Sequence, residues 1–292
     1  MKKENCLIAG LPESGKSTFL GALWYNLKRQ SAKSAMFLTA DTNLPEDIAQ
    51  LNSLSNAWRD AKDIDRTSGV GSIERVRLNL VRKDTQEKFS LDMPDFRGEV
   101  FKNILLSEES ELLQKWLSEA EYLIYFIKDY KNGEFDDDDN HDDDEIDNND
   151  DVIPPLSVDD ISPAAQNIMV LKYLISHGTF NKVAILLSCW DLYTNDGKLV
   201  INPENYLKQN SPGLYNFIRY HIKNCKIFGA SSQGIAYPSK DANQDEKDYE
   251  VKRKEFTKKI IPLTRSGERA FVEYENQKLY DLSYPIFDLI AK

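Results

Sequence analysis

The chain has 292 residues and a net charge of −11, but the acidity is local: residues 134–151 hold twelve acidic residues and no Lys or Arg, leaving +1 for the remainder. No dense basic run marks a nucleic-acid site, and Cys6, Cys189 and Cys225 are too scattered for a disulfide framework or a zinc site. The apolar run after Lys2 and Lys3 is broken at Gly10, so no signal peptide or membrane span is expected and a cytoplasmic location is the default. The length suits one large domain over 1–292.

In chain order, Cys6 to Ala9 reads as a short buried strand, followed by Phe19, Leu20, Leu23, Trp24 and Leu27 at helical spacing. A second helix carries Ile48, Leu51, Leu54 and Trp58 and ends near Lys62, before a polar loop over 63–72. Val76, Leu78 and Leu80 alternate with polar residues, and the alternation resumes at Phe89, Leu91 and Met93 after a polar turn, which predicts a β-hairpin. Residues 108–119 form a helix with Leu112, Leu113, Trp116 and Leu117 inward, and 122–127 a central strand. The acidic insertion, about 131–158, cannot bury apolar area and repels itself, so its composition predicts disorder, with docking on a basic partner as its alternative role. It lacks the central glycine and spaced ligands of a calcium loop.

A helix over 161–177, a strand over 183–187, short helices opened by Pro203 and Pro212, and a strand over 226–230 follow. The stretch 233–280 is polar, with a charged helix expected over 246–259, and 285–290 is a closing helix. Strand and helix alternate, which predicts an α/β fold with a mostly parallel sheet. The hairpin stands where a parallel fold needs a crossover, so one antiparallel edge strand is expected.

Residues 10–18 read Gly-Leu-Pro-Glu-Ser-Gly-Lys-Ser-Thr, a phosphate-binding loop lying between strand and helix. Unpaired backbone donors and the helix dipole favour an anion at that helix start. The nucleotide-binding candidates are Gly10, Glu13, Ser14, Gly15, Lys16, Ser17 and Thr18. Lys16 supplies a cation to the phosphates and counts as a catalytic candidate, while the Ser17 hydroxyl is a hard oxygen ligand for magnesium. A loop that holds phosphates needs a carboxylate at a neighbouring strand end to hold magnesium through water. The hairpin runs into Asp92-Met93-Pro94-Asp95-Phe96-Arg97-Gly98-Glu99; Asp95 has the Asp-x-x-Gly spacing, and Asp92 is the alternative. Glu99 could orient or deprotonate water, or be an exposed carboxylate at a helix start; Arg97 is a second candidate for charge neutralisation.

Phosphate loop, antiparallel strand and Asp-x-x-Gly together resemble the translation-factor and Ras-related class of P-loop GTPases, which implies a three-layer P-loop NTPase fold. The resemblance implies that Asp95 contacts the magnesium shell and that the Gly98 N–H senses the γ-phosphate. Ser188-Cys189-Trp190-Asp191 then occupies the base-reading position, where the class has Asn or Thr, Lys, any residue, Asp. The Asp191 carboxylate can accept both N–H donors of guanine's Watson-Crick edge. Cys189 replaces the base-covering Lys, which leaves Trp190 or another apolar side chain for the base face. Gly229-Ala230-Ser231-Ser232-Gln233-Gly234 resembles the loop that meets guanine through backbone N–H groups, with Ala230 and Ser231 as candidates. A switch also needs a hydroxyl that closes over magnesium, and Thr67 is the candidate for metal and catalysis alike.

Residues 10–24, the Pro94 to Phe101 stretch, Ser188 to Asp191, and the terminal Ser283 to Ile290 are similar to the bacterial double-GTPase family associated with conflict and phage-defence operons. The resemblance implies a GTP- and Mg2+-dependent switch acting with a second GTPase or an effector, with a homodimer as an open arrangement. Glu13 adds an acidic residue to the phosphate loop, and an ATPase or kinase and a non-hydrolysing nucleotide-binding adaptor stand as the alternatives.

Overall fold

A computed structural model describes residues 1–31, 33–44, 48–62, 75–94, 98–108, 110–128, 158–193, 201–235, 238 and 246–291. Asp95, Arg97, Thr67 and nearly all of the acidic insertion lie outside the described residues.

The first strand, β1 (Lys2–Gly10), starts earlier than its apolar run and leads into α1 (Lys16–Arg29). A three-residue strand β2 (Leu38–Ala40) and α2 (Ala49–Arg59) precede the hairpin β3 (Arg75–Arg82) and β4 (Lys88–Pro94). Helices α3 (Gly98–Asn103) and α4 (Glu111–Glu119) lead to β5 (Tyr122–Ile127). After a 3₁₀ turn at Val158–Asp160 come α5 (Pro163–His177), β6 (Lys182–Ser188), α6 (Pro203–Asn210), α7 (Pro212–His221) and β7 (Cys225–Ser231). The chain continues with α8 (Glu246–Ser266), β8 (Phe271–Tyr274), β9 (Gln277–Leu279) and α9 (Tyr284–Ile290).

The start signals lie in the sequence. Ser110, Ser162 and Asn202 cap α4, α5 and α6 by accepting from backbone N–H groups three residues on, and Pro163, Pro203 and Pro212 occupy first turns. Capping by Ser110 starts α4 at Glu111, which turns Leu113, Trp116 and Leu117 inward and leaves Leu112 exposed, against the expectation that all four are buried.

All nine strands of the described residues form one sheet in the order β2-β3-β4-β1-β5-β6-β7-β8-β9. β4, β1, β5, β6 and β7 run parallel, β3 runs antiparallel to β4, and β8 antiparallel to β7. The hairpin is therefore antiparallel as expected, but β3 is not the edge, because β2 pairs outside it. Nor does the sheet stop at β7, since the hairpin of β8 and β9 extends it through the stretch that reads as polar.

Alternation along the strands divides the core into two layers. Cys6, Ile8, Leu78, Leu91, Ile124 and Phe126 face α1, α2 and α9, while Leu7, Ala9, Leu123, Tyr125, Ile185 and Leu187 face α3 to α7. Helices thus cover both faces of a parallel centre, the three-layer arrangement that parallel strands require. The ends of β1, β6 and β7 open on one edge of the sheet, where an α/β fold collects ligands.

Candidate nucleotide-binding site

Gly10 ends β1 and Gly15 caps α1 in a left-handed conformation at φ 87°, so the chain between them bends back on itself. A Cβ at Gly10 would stand 2.7 Å from the Phe126 carbonyl oxygen and 2.8 Å from Ser14 Oγ, which fixes glycine there. Inside the bend, the Lys16 ammonium donates to the Gly10 carbonyl at 2.7 Å, the Leu11 carbonyl at 3.0 Å and Ser14 Oγ at 3.1 Å. Its three protons thus match three loop oxygens, and the Phe101 ring of α3 lies 5.8 Å away. Ser17 and Thr18 occupy the first turn of α1 and are partly exposed; Glu13 is exposed at φ 60°.

The start of α3 reaches the same loop. A Cβ at Gly98 would fall 2.4 Å from both Cα and N of Pro12, closer than any side chain permits, so α3 starts in direct contact with the phosphate loop. Glu99, one residue on, is exposed. Asp92, the alternative magnesium carboxylate, is fully buried and occupied: Arg77 donates to it at 2.6 and 2.9 Å, Arg75 pairs with the same carboxylate, and Lys3 lies at 3.4 Å. Burial pushes its pKa up, but the Arg77 hydrogen bonds and the charges of Arg75, Arg77 and Lys3 outweigh that and hold it below the ordinary value. Asp92 is a structural carboxylate of the hairpin.

The residues expected to read the base lie at the ends of β6 and β7. Ser188 is buried and donates to the Ile127 carbonyl at 3.1 Å, tying β6 to β5, with its Cβ 3.8 Å from where a Gly15 side chain would start. Cys189 turns the chain at φ 55°. Trp190 is wholly buried, packs on Gly229, where a Cβ would fall 2.5 Å from its ring, and donates its indole N–H to the Glu273 carboxylate. Of the side chains offered for the base face, Trp190 is packed as a core aromatic: the missing side chain at Gly229 lets the indole sink onto β7, and a buried acceptor on β8 retains it. Asp191, the next residue, is half-buried. The Ser231 hydroxyl donates to Asp191 Oδ1 at 2.5 Å and accepts from the Gly234 N–H at 2.8 Å. Burial pushes the Asp191 pKa up, opposed by the Ser231 hydrogen bond and the charge of Lys278. Ala230 and Ser231 are buried, and the side chain of Ser231 is committed to Asp191.

Sequence reasoning missed Glu273 and Lys278 because both lie on strands it did not identify. Lys278 faces Glu273 across the hairpin, and its ammonium sits 3.7 Å from the Phe271 ring centroid.

The family model for Double-GTPase 1 matches residues 7–289. The chain belongs to the Double-GTPase 1 family. That span takes in residues 10–18, Gly98, Asp191 and Ser231 alike, and the family's description points to GTP binding. No curated protein matches the chain. Among the described residues of this family member, no helix is long and apolar enough to cross a membrane, and no group of three or more His, Cys, Asp or Glu side chains could hold a metal ion. The Ser17 hydroxyl in the first turn of α1 is a hard oxygen of the kind magnesium takes, and it fits as one of the ion's protein contacts. The thiols of Cys6 and Cys225 are pushed up by burial, the latter to about 12, as packed structural cysteines are.

Proposed function

We propose that this chain is a Mg2+-dependent GTP-binding and hydrolysing switch that converts GTP to GDP and phosphate and acts with a second GTPase or an effector in bacterial conflict or phage defence. The observation that carries the reading is the contact of Gly98 with Pro12, because it sets the start of α3 against the loop over 10–18. A bound γ-phosphate would meet Lys16 and the start of α3 together. Magnesium would supply Lewis-acid stabilisation of charge on the phosphate oxygens, with Ser17, Asp95 and Thr67 as its protein contacts. Lys16 holds its ammonium at the centre of the loop, and the Gly98 N–H reports the γ-phosphate. Asp191, held by Ser231, accepts from the guanine edge.

Glu99 is exposed, which favours a second reading: an adaptor that binds GTP and does not hydrolyse it. Titration of the purified protein with GTP and ATP in magnesium, followed by phosphate release against Lys16→Ala, separates the readings. Preference for GTP with turnover above the control is the expected result. Preference for ATP overturns the guanine assignment, and binding without turnover establishes the adaptor.

A further inference from the structure

We propose that Arg269 is a positioning residue for guanine recognition: with Trp58 it clamps the loop that leaves β7 at Ser231, and through that loop it holds Asp191 in the orientation that meets the base. The inference rests on the guanine reading of Asp191 given above.

Residues 232–235 are gripped one after another from outside the loop. The Trp58 indole N–H donates to the Ser232 carbonyl at 2.7 Å, and the Arg269 guanidinium donates to the Gln233 side-chain oxygen at 2.5 Å. Gly234, at φ 81°, lies so near the Arg269 backbone that a Cβ there would fall 1.9 Å from the Arg269 carbonyl oxygen. Ile235 packs against the cluster of Ala61, Phe256 and Ile260. The two gripping side chains are themselves one unit, because the guanidinium stacks 4.0 Å from the Trp58 ring centroid and donates to the Trp58 carbonyl at 2.5 Å. The pair thus bridges the end of α2 to the end of β7.

The grip passes into the site through one hydroxyl. The Gly234 N–H donates to Ser231 Oγ at 2.8 Å, and that hydroxyl donates to Asp191 Oδ1 at 2.5 Å, so a shift of Gly234 turns the group that orients the carboxylate. Arginine suits the clamp because its planar fork holds several N–H donors in fixed directions. One terminal nitrogen serves Gln233 while the other serves Trp58 and, at 3.4 Å, the Thr264 hydroxyl. Only 1% of Arg269 is exposed, so little water competes for these bonds, and stacking on the indole offsets part of the hydration the cation gives up. The bonds that organise the phosphate loop, from Lys16 to Gly10, Leu11 and Ser14, share no residue with this clamp. Loosening it therefore acts on base choice and spares the hold on phosphate.

Arg269 acts through other residues, so the decisive readout is the ratio of guanine to adenine affinity, with rescue by a conservative variant. GDP and ADP affinities and melting temperatures of the full chain are measured for wild type, Gln233→Met, Gln233→Glu and Arg269→Lys. Gln233→Met keeps the length of the side chain and removes its acceptor; it is expected to weaken GDP about tenfold and to leave ADP within about twofold of wild type. Gln233→Glu restores the acceptor and with it the wild-type ratio. Arg269→Lys keeps the charge and loses the fork, so it should match Gln233→Met, and the two changes together should cost no more than either alone. If Arg269→Lys does not fold, the two Gln233 variants decide the matter. Equal weakening of GDP and ADP by Gln233→Met, no weakening of either, or a Gln233→Glu variant as impaired as Gln233→Met overturns the role. Absence of a guanine preference in the wild type overturns the guanine reading itself, a result visible before any variant is made.

Discussion

The two ends of the candidate site are built by different means. The phosphate end is backbone: a loop of nine consecutive residues, glycines at its bends, and one ammonium matched to loop oxygens. The base end is assembled from three separate elements, with Trp190 sunk against Gly229, anchored on Glu273 and leaving Asp191 for Ser231 to orient. A backbone cradle is sensitive chiefly at its glycines, its lysine and the hydroxyls of Ser14 and Ser17. A side-chain network passes damage from one member to the next.

Substitutions that strike one end and spare the other break this comparison most cleanly. The largest effect is expected from Trp190→Ala, which empties a fully buried indole site and strands the Glu273 carboxylate; a loss of about 3–5 kcal/mol of stability should appear in denaturant unfolding. Lys16→Ala should cost about 1.5–3 kcal/mol of nucleotide affinity, for GTP and ATP alike, with stability little changed, as titration calorimetry will report. Gly98→Ala drives a methyl into the Pro12 backbone and should cost about 1–3 kcal/mol, read as a lowered melting temperature together with weakened triphosphate binding.

A pH titration sharpens the contrast. The raised Asp191 pKa means its proton returns at a higher pH than the ordinary 3.8, so guanine discrimination fades as pH falls through the raised value while binding through the phosphate loop persists. The same shift has the opposite sign for folding, because a raised carboxylate pKa makes burial of Asp191 less costly as pH falls. Glu99→Gln is the smallest: an exposed side chain should change affinity by less than about 0.5 kcal/mol, and a larger change in phosphate release than in binding would mark Glu99 as part of the chemistry.

The legibility of the two ends differs for the same reason. Gly10 to Thr18 stands in one stretch, so its spacing alone announces a phosphate loop, and the alternation of Val76, Leu78 and Leu80 announces the hairpin. The strand β8 reads poorly because Glu273 occupies a buried position, which breaks the apolar pattern that identifies strands. The strand β2 has three residues, too few for any period to register. Trp190 reads from sequence as one side chain that could meet the base, and the absent side chain at Gly229, 39 positions later, is what seats it in the core. One signal went unused: Glu275-Asn276 between Tyr274 and Gln277 suits the tight turn of a hairpin, with Glu275 at φ 54°.

The clasp on Asp92 also has a mechanical side. Arg75 and Pro94 face each other on the last rung of the β3 and β4 hairpin, and Arg75 grips Asp92 two residues back from Pro94. The segment containing Thr67 enters the sheet at Arg75, and the one beginning at Asp95 leaves it after Pro94. The Arg75 and Asp92 pair therefore pins both strands at the last rung of the hairpin, and a shift of one against the other would move that rung on both strands at once.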